Sequence, residues 1–435
     1  MLARIRSATL LGIEAVPLTV ECDLCRGLPG MHMVGLPDAA VRESAHRVRA
    51  ALRNAGHELP PRRITVSLAP ADLRKQGAAL DLPIALAILA AHGALPPGRL
   101  EPVLALGELA LDGRVRAVQG CLPAVLLARR DGVDEMILPE ANLEEALALP
   151  GPGLHGVSHL REAVAALRGD RAAARAGPST FLPAAPADGG DLADVRGQAH
   201  ARRALEVSAA GGHPLLMVGP PGCGKTMLAR RLPGILPPLD LDEAIEVTCI
   251  YSAAGLLRSP GLVRCRPLRA PHHTISGVAL VGGGRRPCPG EVTLAHHGVL
   301  FIDEMAEFGR ATLDVLRQPL EARSVAIARS GRSVQLPARF LLVGAMNPCP
   351  CGRRGSGVRP CGCTPAMVAQ YRGRVSGPLL DRFDLQVELA PVPLRDLRSA
   401  DGGEPSAAVA ARVAAARRRQ AARLAGTGCS ANADL

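Results

Sequence analysis

The sequence predicts an α/β fold for its central part, a parallel sheet with helices on both faces, preceded by a separate α+β domain. Three observations carry this. Strand and helix signals alternate from residue 191 to about 395, as in a parallel sheet joined by helical crossovers. A short apolar strand, His213–Val218, runs into a glycine-rich loop and then a helix at Met227–Leu232. Two more apolar runs, Gly298–Ile302 and Arg339–Ala345, end in polar residues of the kinds that line catalytic sites.

Residues 1–168 mix β-rich runs (Ile64–Leu68, Val103–Leu106, Glu135–Leu138) with helical stretches (Ala39–Asn54, Leu82–His92, Cys121–Arg129) and read as the α+β domain. Residues 169–190 turn to Ala, Pro, Gly and Asp without apolar periodicity and read as a linker. Residues 396–435, with a helix-forming Ala/Arg stretch at Ala407–Leu424, are expected to be the truncated start of a helical lid.

The 435-residue chain is long enough for two or three domains, and 48% hydrophobic residues supply a sizeable core. No run approaches the roughly 20 apolar residues of a membrane helix, and the N-terminus has no small-residue cleavage site. A cytosolic protein without membrane contact is expected. Twelve cysteines then suggest buried thiols or a metal site rather than a disulfide framework. The net charge of +11 favours a polyanionic partner, although an Arg-rich composition lowers its weight. Against that bias only two lysines remain, Lys75 and Lys225, and each is expected to need an ammonium group.

Lys225 lies in Gly219-Pro220-Pro221-Gly222-Cys223-Gly224-Lys225-Thr226, which has the spacing of a phosphate loop in its required strand–loop–helix setting. The glycines let backbone N–H groups turn inward around phosphates, Lys225 reaches the β- and γ-phosphates of ATP, and Thr226 ligates Mg²⁺. The run Gly298–Ile302 ends in Asp303-Glu304. Asp303 is expected to hold Mg²⁺ through its water shell, and Glu304 to deprotonate the attacking water. Asn347, after the Arg339–Ala345 strand, can bond the γ-phosphate or the lytic water, or simply form a turn before Pro348. Arg382, in Ser376–Asp384, reads either as a finger reaching ATP in a neighbouring subunit or as an ion pair with Asp381 or Asp384.

Two further features carry open readings. Cys349, Cys351, Cys361 and Cys363 form C-x-C-x₉-C-x-C, a candidate closed zinc site or a set of reduced thiols. Residues 324–338 read as a hairpin around Ser330-Gly331, with Arg329 and Arg332 flanking the tip, placed either to touch DNA phosphates or to remain in solvent.

These motifs, with Val34-Gly-Leu-Pro-Asp38, Asp81-Leu-Pro-Ile-Ala85, Arg269-Ala-Pro-His-His-Thr274, Asn347-Pro-Cys-Pro-Cys-Gly352 and Gly377-Pro-Leu-Leu-Asp-Arg382, resemble the magnesium-chelatase group of AAA+ ATPases, and most closely the ComM/YifB family. The resemblance implies an ATP-dependent homo-hexameric ring and, for ComM, a motor that migrates DNA branches during natural transformation. It also makes residues 265–297 similar to the family's helix-2 insert, which faces the pore of such rings. His272 and His273 in it read as packing or pore residues, or as metal ligands.

The N-terminal domain resembles the Lon-protease proteolytic fold through Ser67–Gly77 and Gly107–Arg114. The Ser nucleophile of that fold would fall at Ala78 or Ala79, and its Lys base at Cys121 or Leu122. With neither present there is no acyl-enzyme route, so the domain is expected to be proteolytically dead. The rival classes are a chelatase subunit or chaperone acting on a protein partner, an ATP-dependent protease, and a nucleotide-gated binding module.

Overall fold

The computed structural model describes residues 2–435 except 60, 76, 97, 176, 178–180, 185–188, 259–260, 285–287, 330–331, 358, 394 and 397–401. The chain divides into two compact units, one of residues 1–180 with 248–262, the other of residues 181–247 with 263–435.

In the first unit the alternating N-terminal residues make two long antiparallel strands, Leu2–Leu11 and Glu14–Cys25. A seven-stranded mixed sheet grows from them. On one side it adds Arg63–Ala69 and then Gly30–Val34 at the edge; on the other it adds Val103–Ala105, Glu135–Pro139 and Gly153–Val157, all parallel. The helices Ala39–Asn54 and Asp81–Ala91 fill one core with Ile5, Val20, Val66 and Ile137. The second of these helices is apolar almost all round, as a helix buried on every side must be.

Asp81 is the exception on that helix, and it is fully buried. Its carboxylate accepts from Ser44 Oγ, from Arg47 Nε at 2.7 Å and Nη2 at 3.0 Å, and from the Leu109 amide at 3.2 Å. One side chain thus joins both helices to the Glu108–Leu109 strand. Lys75, the lysine outside the phosphate loop, is also fully buried and donates to the Pro70 carbonyl. Cys121, one of the two positions where the resemblance to Lon would put a lysine, is buried, and burial pushes its thiol well above the ordinary range.

The second unit holds a five-stranded parallel sheet. Its strands, in spatial order, are Leu268–Arg269, Val299–Ile302, Leu341–Met346, Leu215–Val218 and Leu385–Glu388. Leu215, Met217, Val299, Phe301, Val343 and Ala345 share a core with the helices Ala199–Gly211, Lys225–Arg231 and Ser406–Arg423. The alternate residues Leu216, Leu300, Ile302 and Leu342 are buried too. On their side Phe383 and Met305 pack so closely on Gly344 that a Cβ there would lie 3.0 and 3.2 Å from them. Both faces are therefore covered, which is why these strands read as continuous apolar runs. No helix among the described residues is long and apolar enough to cross a membrane.

Removing Asp81 strands a largely buried guanidinium and two further donors, and breaking a buried pair from one side costs about 3–5 kcal/mol. Asp81→Ala is expected to lower the urea midpoint of the first unit by the equivalent of about 3 kcal/mol. A loss below about 1 kcal/mol would show that the carboxylate does not hold the two helices together.

Candidate functional site

Three neighbouring parallel strands deliver the predicted residues to one edge of the second sheet. Val218 aligns with Met346, so the phosphate loop and Asn347 leave the sheet side by side. Ile302 aligns with Gly344 on the next strand, so Asp303 emerges beside them. The loop then enters its helix through Gly224, whose φ of +95° is open to glycine but strained for other residues.

The side chains meet across these strand ends. Thr226 Oγ1 donates to Asp303 Oδ2 at 2.7 Å, which brings together a hydroxyl and a carboxylate suited to one hard cation. Lys225 Nζ donates to the carbonyls of Gly219 at 2.5 Å and Pro220 at 3.0 Å, and to Asn347 Oδ1 at 3.2 Å. Burial lowers the Lys225 pKa from its ordinary value, and the charges of Asp303 and Glu304 oppose that shift. Asn347 is thus tied to the phosphate loop through the lysine.

Glu304 follows in a left-handed conformation, φ +50°, with its amide donating to Asp303 Oδ1 at 2.9 Å. Its carboxylate is more than half exposed, and Oε2 lies 3.7 Å from His273 Nδ1. His273 stacks on His272 and meets Phe308 edge-on. The alternatives that the sequence leaves for His272 and His273 are packing, a pore-facing place or metal binding; His273 lies beside Glu304, and neither histidine belongs to a metal-competent cluster among the described residues.

Arg382 is not part of these contacts. It pairs with Glu321 on the Arg317–Ala322 helix, not with Asp381 or Asp384, and both partners are about half exposed. Asp384 instead accepts from His213 Nδ1 at 2.6 Å, just ahead of the phosphate-loop strand. Neither Glu321 nor His213 carried a signal in the sequence, because both contacts join residues far apart in the chain.

The four cysteines converge. Cys349 Sγ lies 3.5 Å from Cys351 and 3.6 Å from Cys361, and Cys351 lies 3.6 Å from Cys361. The four ligand atoms all fall within 4.8 Å of one another. A disulfide would need about 2 Å; sulfurs about 2.3 Å from one tetrahedral zinc sit about 3.8 Å apart, close to the spacing found. The Arg353 amide and the neighbouring thiols pull Cys351 down to about 6, while Cys361 is raised and Cys363 is pushed up to about 11 within the same cluster, so the thiol contacts favour one thiolate rather than four. The loop that carries the cluster also passes close to the phosphate loop: a Cβ on Gly352 would lie 2.9 Å from Pro221.

A second group, Glu246 with His296 and His297, also has ligand atoms close enough for a metal. Its hydrogen bonds argue against one. The Arg339 amide donates to His296 Nδ1 at 3.0 Å, so Nε2 must keep its proton to donate to Glu246 at 2.9 Å.

The hairpin is formed by Ser324–Arg329 and Arg332–Pro337, antiparallel, with Arg329 opposite Arg332 in the backbone register. The tip residues 330–331 and the side chains of Arg329 and Arg332 lie outside the described residues. The base is held from both sides: Arg323 and Arg339 each pair with a different oxygen of Asp434. That carboxylate also accepts from the Ser430 and Ala431 amides; burial raises its pKa, but the bonds from Ser430 and Arg323 outweigh this and lower it to about 2.

The chain is similar to known proteins along nearly its whole length. The family described as "Magnesium chelatase, subunit ChlI" matches residues 191–397, and "Subunit ChlI of Mg-chelatase" matches residues 20–142. A protein of Mycobacterium tuberculosis is 47% identical over all of this chain and 86% of its own length. YifB of Escherichia coli is 45% identical over 96% of this chain and 82% of its own. The competence protein ComM of Haemophilus influenzae is 44% identical over 95% and 81%. Near full-length similarity to YifB and ComM, with both family matches, means that the chain belongs to the ComM/YifB family of magnesium-chelatase-like AAA+ proteins.

Proposed function

We propose that the protein is an ATP-hydrolysing AAA+ ring motor, assembled from identical subunits in the cytosol, that acts on branched DNA. The observation that carries the hydrolytic part is the convergence of Lys225, Thr226, Asp303, Glu304 and Asn347 at the ends of three parallel strands. Bound Mg²⁺ would neutralise charge on the β- and γ-phosphates of ATP. Thr226 and Asp303 would hold that ion, and Lys225 would exchange its loop carbonyls for phosphate oxygens. Asn347 would orient the water near the γ-phosphate. Glu304, exposed and free to swing from His273, would take the proton of the attacking water. Arg382 sits in a surface pair of low intrinsic strength and can give up Glu321 for the γ-phosphate of a neighbouring subunit.

The DNA part rests on family. The resemblance to ComM implies branch migration, and one relative carries the name of a competence protein. The hairpin with Arg329 and Arg332 would then hold a phosphate backbone without reading sequence. Five Phe, two Tyr and no Trp leave little for a base-stacking platform, which favours duplex arms over single strands. The chelatase-subunit description of residues 191–397 supports a second reading, an ATPase or chaperone that remodels a protein partner. We also propose one structural zinc on Cys349, Cys351, Cys361 and Cys363, which would stiffen the loop that rests on Pro221.

Glu304→Gln is expected to keep ATP binding and cut turnover about a hundredfold or more, since only the base is lost. Turnover at the wild-type rate would remove Glu304 from that role. Arg382→Ala should stop hydrolysis, and mixing it with Lys225→Ala subunits should restore part of it if the arginine acts across subunits. No restoration at any ratio would assign Arg382 to its ion pair. Elemental analysis of protein never exposed to chelator should find close to one zinc per chain, and its removal should lower the melting temperature. Zinc near zero would leave four reduced thiols. The DNA reading predicts hydrolysis stimulated more by branched than by linear duplex; equal rates with and without DNA would favour the protein-remodelling reading.

A further inference from the structure

The Ala39–Asn54 helix of the first unit buries Val41, Ser44, Val48, Ala51 and Leu52 against the core. Its outward face carries Arg42, His46, Arg49 and Arg53, all exposed, at spacings of four, three and four residues. Such spacing keeps the four side chains on one stripe. At 1.5 Å per residue the stripe runs about 16 Å from Arg42 to Arg53.

Some surface arginines elsewhere are paired with acids. Arg4 has Glu21, Arg114 has Asp112, Arg171 has Glu162, Arg374 has Glu307 and Arg412 has Glu206. Others, Arg26, Arg372 and Arg419 among them, are exposed without an ion pair among the described residues, so it is the alignment of its basic groups that marks this helix. Among the described residues no ion pair joins Arg42, His46, Arg49 or Arg53 to an acid. The helix has one acidic residue, Glu43, and that faces Arg47, whose guanidinium is held by buried Asp81. Two more arginines lie past the end of the helix, where exposed Glu58 and an Asp112 that pairs with Arg114 also lie. Arg161 reaches the carbonyls of Asn54 and Ala55, and Arg168 that of Ala94. His57 between them titrates below its ordinary value, through burial first and then through Arg168 and Arg161.

The chemistry of the stripe selects its partner. Its outward face has no large apolar side chain, so it lacks what an interfacial membrane helix inserts and what the centre of a protein interface buries. Guanidinium groups without acids, spaced about 6–10 Å apart along a straight line, suit the phosphates of a duplex, which advance about 3.4 Å per nucleotide on each strand. We propose that this face of the proteolytically silent unit is a second DNA-backbone contact, with Arg42, Arg49 and Arg53 each neutralising a phosphate. The proposal rests on the DNA reading above for its partner, and it gives the first unit a task that needs neither a nucleophile nor a base.

The test is the salt dependence of duplex binding by the full-length protein. Each phosphate contact adds about 0.9 to the slope of log affinity against log salt. The combined Arg42→Ala, Arg49→Ala, Arg53→Ala variant should lower the slope by about 2–3, while the three Arg→Lys replacements together should keep it. Arg49→Gln alone, at the centre of an exposed face, should lower it by about 1 and guards against a triple variant that fails to fold. An unchanged slope in Arg49→Gln and in a folded triple variant overturns the stripe and leaves the DNA reading standing. A wild-type protein that binds no DNA even at low salt overturns both. Binding of anionic vesicles that the triple variant loses, with DNA affinity unchanged, would assign the face to a membrane instead.

Discussion

The parallel register of the second sheet is the constraint on which the rest depends. Val218, Ile302 and Met346 end at neighbouring levels because each strand is hydrogen-bonded to the next without a slip. A shift of one residue would turn every alternate side chain to the opposite face, and Asp303 would no longer meet Thr226. The register is held by burial on both faces, since Leu215, Leu216, Val299, Leu300, Leu342 and Val343 have no exposed side to turn toward. Nothing in the loop itself could place a lysine, a hydroxyl, two carboxylates and an amide together.

The same sheet ties the site to the elements around it. At the far end of the acidic strand, Glu243 and Glu246 grip His297, and Glu246 also takes His296, whose other nitrogen is bound by the Arg339 amide. Desolvation opposes ionisation of Glu243, but His297 and Arg266 outweigh it and bring it to about 2. Arg339 in turn reaches Asp434, which also holds Arg323 on the other side of the hairpin base. A continuous chain of polar contacts therefore runs from the strand that carries Asp303 to the hairpin and to the segment beyond the Ser406–Arg423 helix. Several of its members are held by more than one partner, so losing one contact weakens its neighbours.

Much of this was legible in the sequence where a motif is local. The strand–loop–helix of the phosphate loop, the run into Asp303-Glu304, the hairpin and the helix at Ala39–Asn54 follow from apolar periodicity and turn residues close together in the chain. The strands Leu268–Arg269 and Leu385–Glu388 did not stand out: the first has two residues and the second alternates, so neither gives a strong periodic signal. The pairing of Arg382 with Glu321 and the approach of His273 to Glu304 depend on tertiary geometry alone. For the cysteines, spacing suggested four ligands, but only the fold shows their sulfurs together and their loop resting on Pro221.

The function proposed above couples ATP hydrolysis at the converged strand ends to movement of DNA branches. The most direct measurement is strand exchange on a synthetic four-way junction by the full-length protein in Mg-ATP, with phosphate release followed in the same reaction. Junctions are expected to separate into duplex products only while ATP is hydrolysed, and Glu304→Gln is expected to stop both together. Steady phosphate release beside an unmoved junction would contradict that coupling.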